Sequence, residues 1–161
     1  MLGLRITHYS TTPSLQYSNP KMSLTKQELA LVRSARVAHL ATADKNGRPH
    51  VIPSCFIFDG KYFYSPIDEK PKRVAPQKLK RLKNIAANPN VALVIDRYGE
   101  DWRKLAYLLI FARARVLKSG AKHRKAVNLL RKKYPQYRAM KIHQRPIIQI
   151  TPTRWTSWGA L

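Results

Sequence analysis

Carboxylates are what this chain lacks most. Eight Asp and Glu face 31 Lys and Arg in 161 residues, a formal charge of +23, and no acid lies beyond Asp101 although fifteen Lys and Arg do. Such an imbalance repels itself unless anions or salt screen it, so it points to an anionic partner and makes the C-terminal part the more basic surface. The shortage also argues against acid–base hydrolysis. Asp96, Glu100 and Asp101 are the closest acids to a catalytic pair, and in so basic a chain they read as partners of nearby Lys and Arg.

Cysteine is nearly absent. Cys55 is the sole copy, which excludes an intrachain disulfide and is compatible with a reducing, cytoplasmic location. It sits in an alternating strand pattern rather than a nucleophile motif, and His39, His50, His123 and His143 lack metal-ligand spacing, so neither a thiol nucleophile nor a zinc site is expected. Long apolar runs are missing too. The longest, about 105–112, falls far short of the roughly 20 residues that span a bilayer, so the protein is expected to be soluble, with no membrane partner. Residues 1–22 hold no acid and are rich in Ser and Thr, but Arg5 and Lys21 are their only cations. They read as a disordered leader or a misassigned start ahead of Met22, and 23–161 as a single domain.

What is present is a series of capped and turn-punctuated elements. Thr25-Lys26-Gln27-Glu28 is a capping box with Leu24 and Leu29 at the staple positions, predicting a helix over 26–36. Strand composition over 37–43 and 50–58 surrounds a turn in which Gly47 takes positive φ at low cost, and a third strand over 61–66 follows Asp59-Gly60. Leu79, Leu82, Ile85 and Ala86 repeat at helical spacing within 77–87. Strands over 91–96 and 107–117 flank the link Tyr98-Gly99-Glu100-Asp101-Trp102. A basic helix over 122–134, with Ala126, Leu129 and Leu130 on its apolar stripe, precedes a last strand over 146–150. Six strands in antiparallel hairpins, with helices at the ends, predict an α+β, mainly β fold in which a small closed or partly closed barrel removes exposed edges.

One segment concentrates the chemistry. Lys70, Lys72, Arg73, Lys78, Lys80, Arg81 and Lys83 stand together without an acid, then Asn84 to Asn90 leads into the apolar run from Val91. Held against a core, such cations offer charge at fixed spacing to one polyanionic ligand; left in solvent, they are only a helix face. The helix over 122–134 poses the same choice, between a nucleic-acid surface and a solvated face. Trp102, Trp155 and Trp158 are either a ring-stacking wall or packing at the core or a dimer interface.

The order of these motifs resembles a known family. Ala-x-Leu-Ala-Thr-x-Asp-x-x-Gly-x-Pro-His-x-x-Pro over 38–53, Lys-Pro-Lys over 70–72, and Leu-x-Arg-Leu-x-Asn-Ile-x-x-Asn-Pro-x-Val over 79–91 are similar to the pyridoxamine 5'-phosphate oxidase-like flavin-binding split barrels. With Asp-x-Tyr-x-Glu-Asp-Trp over 96–102, they resemble the branch of probable coenzyme F420-dependent enzymes. The resemblance implies a homodimer of six-stranded antiparallel split β-barrels, with the cofactor ring between the subunits and its phosphate gripped by basic residues of one. By position, Lys70, Lys72, Lys78, Arg81 and Asn84 match the phosphate-proximal segment, and Ile52, Pro53 and Ser54 the stretch lining the ring. The run over 105–111 departs from the family by being apolar apart from Tyr107.

The implied activity is hydride transfer from F420 to a small-molecule acceptor, a reaction in which the cofactor does the chemistry and no acid–base triad is needed. FMN is the alternative cofactor. F420 adds an oligoglutamate tail to its phosphodiester, which suits a charge of +23. A nucleic-acid-binding small barrel is the rival reading, with phosphate contacts and Tyr or Trp stacking, and a barrel that carries or stores its cofactor without turnover is a third.

Overall fold

Thr25 opens the first helix as its sequence requires. In the computed structural model, which describes residues 23–68 and 79–161, the Glu28 N–H donates to Thr25 Oγ1 (3.2 Å) and the Thr25 N–H to Glu28 Oε2 (2.8 Å). The helix α1 spans Lys26–Ser34 and stops short of residue 36 because Ala35 takes extended backbone. Glu28 is buried, and its second oxygen accepts the Ser157 hydroxyl at 2.8 Å, so the cap also fastens α1 to the last strand.

The strands are β1 (Ala38–Ala43), β2 (Pro49–Ser54), β3 (Ile57–Phe58), β4 (Phe63–Pro66), β5 (Asn90–Arg97), β6 (Ala106–Leu117) and β7 (Ile147–Gly159), with α2 (Lys80–Ala87) and α3 (Ala121–Lys133) between them. All pair antiparallel in one sheet of order β2-β1-β5-β6-β7-β4-β3. The first and last strands of that order, β2 and β3, are separated in sequence by Cys55 and Phe56 alone. The sheet therefore curls until its edges meet, which makes it a split barrel.

Two expectations change. The run over 50–58 is two strands on opposite sheet edges, so the barrel has seven strands rather than six. The last strand continues well past residue 150, through Trp155 and Trp158, because it absorbs an irregularity opposite Phe111 and Ala112. Arg154 pairs with Phe111 and Pro152 with Ala112, leaving Thr153 as the extra residue. Its hydroxyl donates to the Phe111 carbonyl at 3.0 Å, and Pro152, which has no N–H to offer a ladder, is accommodated beside the bulge.

Period-two alternation sends Leu40, Leu93, Ile95, Leu108, Ile110, Ile148 and Ile150 to the barrel interior, against Leu31 and Val32 of α1 and Leu82 and Ile85 of α2. A second cluster lies under α3, where Ala126, Val127 and Leu130 meet Tyr64 and Ile147 from the opposite face of β4 and β7. His123 is buried on the same helix and Leu129 only half-buried, so the stripe sits slightly round from its expected position. Among the described residues no helix is long and apolar enough to cross a membrane.

At the seam between β2 and β3 the Phe56 peptide has no ladder partner, and Tyr134 supplies one. The Phe56 N–H donates to the Tyr134 hydroxyl oxygen (3.0 Å), which also lies 2.7 Å from the Phe56 carbonyl and 2.8 Å from that of Arg36. Burial pushes this hydroxyl up to about 12, so it keeps the single proton that one carbonyl accepts at a time. The Arg36 guanidinium lies 4.5 Å over the Tyr134 ring and the Lys133 ammonium 4.1 Å over Phe56. Burial, helped by the charge of Arg36, lowers the Lys133 amine to about 8, against a weaker opposing effect of Cys55.

Tyr134→Phe removes the acceptor of a buried N–H and should cost about 1–3 kcal/mol in urea unfolding. Lys133 carries a sign that pH exposes. Because its folded pKa of about 8 lies below the roughly 10.4 of an unfolded chain, the unfolded state binds more protons between those values and stability rises with pH across that window. The stability of Lys133→Met relative to wild type should accordingly be highest below pH 8 and decline steadily towards pH 10; a flat difference would remove the buried-ammonium account.

Candidate functional site

The site begins where β4 ends and α2 starts, on either side of residues 69–78. Lys70, Lys72 and Lys78, matched above to a phosphate grip, fall in that stretch and lie outside the described residues. Of the expected helix over 77–87, the described part is Lys80–Ala87, preceded by Leu79, which has no side-chain cap. The helix buries Leu82, Asn84 and Ile85 and turns its cations outward to differing depths. Lys80 reaches Asp44 at 3.1 Å, Lys83 is exposed, and Arg81 is half-buried.

Arg81 is the residue whose environment points to a ligand. Its Nε is buried with no hydrogen-bond partner among the described residues. Burial drags the guanidinium down from its ordinary range, and the charge of Asp68, at the end of β4, only partly compensates. A half-buried guanidinium with an unmet donor suits an anionic oxygen.

Asn84 does something else. Only 1% exposed, it donates through Nδ2 to Thr42 Oγ1 at 3.0 Å, and the Thr42 hydroxyl donates to the His50 carbonyl at 3.3 Å. This chain of bonds bolts α2 to β1 and β2 and leaves the amide nitrogen engaged inside the barrel. His50 shares the region, with Nδ1 buried and without a partner among the described residues. Of the matched phosphate residues, Arg81 alone among those described offers a donor that fits the group.

Ile52, Pro53 and Ser54 lie on β2. Ile52 packs half-buried against the core, Pro53 is exposed opposite His39, and the Ser54 hydroxyl makes a short hydrogen bond with that of Ser65 on β4, across the seam. Pro53 belongs to the outward face of the sheet. Val51 (58% exposed) and Trp158 (40%) are on it, as are the half-buried Val94, Leu109 and Phe111. The apolar run over 105–111 is thus explained by position: β6 alternates Leu108 and Ile110 into the core with Leu109 and Phe111 onto this outer face.

The three tryptophans do not form one wall. Trp158 stacks on Tyr107 (6.0 Å between ring centroids) on the outer face, Trp155 packs half-buried against the core, and Trp102 is 73% exposed on the β5–β6 link. The acids act as partners. His39 lies 3.5 Å from Asp96, and Asp101 bonds Arg103 at 2.9 Å and Lys104 at 3.4 Å, with the Arg103 bond holding its carboxyl below the usual range. Among the described residues no group of three His, Cys, Asp or Glu is placed to hold a metal ion.

Thr42 and Ser65 were absent from the sequence reading of the site. A signal existed: both are polar residues at buried positions of otherwise apolar or aromatic strands, where a hydroxyl needs a partner. The two α2 residues should separate in mutagenesis. Asn84→Ala breaks a buried hydrogen bond and should lower unfolding free energy by about 1–3 kcal/mol, whereas Arg81→Ala relieves a desolvated charge and should leave stability unchanged or higher; equal losses would contradict the division of roles.

Comparison with known proteins agrees with this fold. A sequence profile of the family described as pyridoxamine 5'-phosphate oxidase matches residues 24–159. No curated protein matches the chain at a significant level. Among solved structures, the heme storage protein HutZ of Vibrio cholerae is 14% identical, with 86% of this chain and 95% of that one covered and a TM-score of 0.66. The conserved hypothetical protein Rv2991 of Mycobacterium tuberculosis is 17% identical over 89% and 90%, at 0.68. An F420 reductase is 21% identical over 82% and 98%, at 0.60. These likenesses are of fold; the profile spans most of the chain, and the seven-stranded split barrel bears it out: the chain belongs to the pyridoxamine 5'-phosphate oxidase family.

Proposed function

We propose that this chain is a cytoplasmic oxidoreductase that binds coenzyme F420 and passes hydride to a small-molecule acceptor. The observation that carries the reading is Arg81, a half-buried guanidinium whose Nε has no partner among the described residues, at the margin of the 70–83 basic segment. Family membership and the fold of an F420 reductase support it. When bound, F420 supplies the hydride. The chain supplies the grip: Arg81 with Lys70, Lys72 and Lys78 on the phosphate, and Ile52, Pro53 and Ser54 beside the ring. Asn84 serves by holding α2, and hence Arg81, against β1. FMN is the second cofactor, served by the same residues, and the charge of +23 favours the longer anion.

The protein acts as a homodimer. Val51, Leu109, Phe111 and Trp158 support this, as exposed or half-buried apolar side chains on one outer face of the sheet, where the Arg154 guanidinium lies over Phe111. The free Cys55 suits a reducing compartment. A nucleic-acid reading has one observation of its own: Tyr98 and Trp102, 75% and 73% exposed, stand beside Arg97, Arg103 and Lys104 as a stacking platform.

Titration of the purified protein with F420 and FMN in parallel, read by fluorescence anisotropy, tests the proposal. F420 should bind at low micromolar concentration, Lys72→Ala with Arg81→Ala should weaken it about tenfold or more, and Arg124→Ala with Lys132→Ala should not. Silence with both cofactors would sink the reading, and an oligonucleotide affinity falling steeply with salt and indifferent to F420 would replace it with the rival.

A further inference from the structure

At the opposite end of β4 from Arg81 and Asp68, the fold leaves a groove of about 700 Å³. It lies between α1, the β3–β4 turn, α3 and the β7 bulge, and nothing in the cofactor reading uses it. Its volume falls within the range of about 300–1,000 Å³ typical of small-molecule sites. Leu29, Phe58, Leu129 and Trp155 give it apolar and aromatic walls. Phe58 is held in place by stacking on Phe63 at 4.4 Å, so that wall is set before any ligand arrives.

The charge around the groove is one-sided. Arg33 from α1, Lys61 from the turn and Lys125 from α3 border it, with Asp59 as the only acid among the described residues. That acid is already satisfied. It accepts Lys125 at 2.7 Å and the N–H groups of Lys61 and Tyr62 at 3.0 and 2.8 Å, and its side chain is 5% exposed. Burial alone would raise its carboxyl, but these bonds together hold it below the usual range, so it stays an anion matched to Lys125. Arg33 and Lys61 remain as cations with no ion-pair partner among the described residues, the Lys61 ammonium lying 5.4 Å over the Tyr62 ring at the margin of the turn.

From this pairing of aromatic walls with two cations that no acid among the described residues neutralises, we propose that the groove is a second ligand site, which takes a small ring-bearing carboxylate. The ring lies against Phe58 and Trp155, and the carboxylate is held by Arg33 and Lys61. Neutral rings gain the walls but not the cations, and small hydrophilic anions gain the cations but not the walls, so selectivity requires both features in one molecule. The inference does not depend on which cofactor, if any, is bound near Arg81.

Isothermal titration of the full chain with 2-naphthoate and its neutral isostere 2-naphthamide tests it. Naphthoate should bind one per chain, about tenfold or more tighter than the amide, the scale of one charge-assisted hydrogen bond. Arg33→Ala with Lys61→Ala should erase that preference and leave the amide unaffected. Both positions are exposed, so folding should survive; Lys61→Glu alone should weaken naphthoate further than Lys61→Ala. Arg81→Ala should change nothing here, which separates this site from the cofactor grip. Equal affinity for acid and amide, or loss of naphthoate binding on Arg81→Ala, would overturn the proposal. So would a change of sedimentation coefficient, rather than of affinity, in Arg33→Glu with Lys61→Glu, which would assign the groove to a contact between copies.

Discussion

A sheet that curls until its edges meet must do something with the peptide at which they meet. Here that peptide is Phe56, and its N–H is held by the hydroxyl of Tyr134 at 3.0 Å. Without that bond the turn between β2 and β3 would bury an unmet donor, and a flatter sheet in which β3 continued β2 would become competitive. Tyr134 closes α3, so the same side chain ties the second hydrophobic cluster to the first. Arg36 and Lys133 complete the clamp through their aromatic contacts, at the cost of holding two cations close together.

The candidate site inherits its geometry from this closure. Ser54 and Ser65 touch because the seam brings β2 beside β4. Arg81 is set against the barrel because Asn84, three residues on, is anchored inside it. A helix of eight residues with a single buried polar bolt is a sparse support, and it works because Thr42 and His50 pass the load to two strands. Charge is then arranged round a rigid frame, some of it neutralised at Asp44, Asp59 and Asp101 and some left exposed.

Most elements were legible in the sequence because each carried a local signal. Thr25 and Glu28 fixed one helix start, Gly47 and Gly60 punctuated hairpins, and the strands of the central ladder declared themselves by alternation. The break at Cys55 was not legible, since its residues alternate like a continuous strand and only a distant tyrosine decides that they part. The continuation of β7 past Pro152 was hidden for a similar reason: proline reads as an end unless a bulge is known to receive it. At the site, the charge cluster was visible, but the distinction between Arg81 facing outward and Asn84 facing inward depended on helix phase relative to a sheet not yet placed. The groove was invisible altogether, because its cations come from three elements far apart in sequence.

The strand order bears on how the molecule is made. The hairpin β3–β4 joins the rest of the sheet only through β7, which comes after it by some eighty residues. During synthesis β1, β2, β5 and β6 can pair as they emerge, while that aromatic hairpin waits without a ladder neighbour until β7 arrives. Such long-range pairing is slow and leaves an edge open to association with other chains. The basic charge carried by the intervening stretch sets like charge against like between nascent chains over that interval, which opposes their association while the hairpin edge stands open.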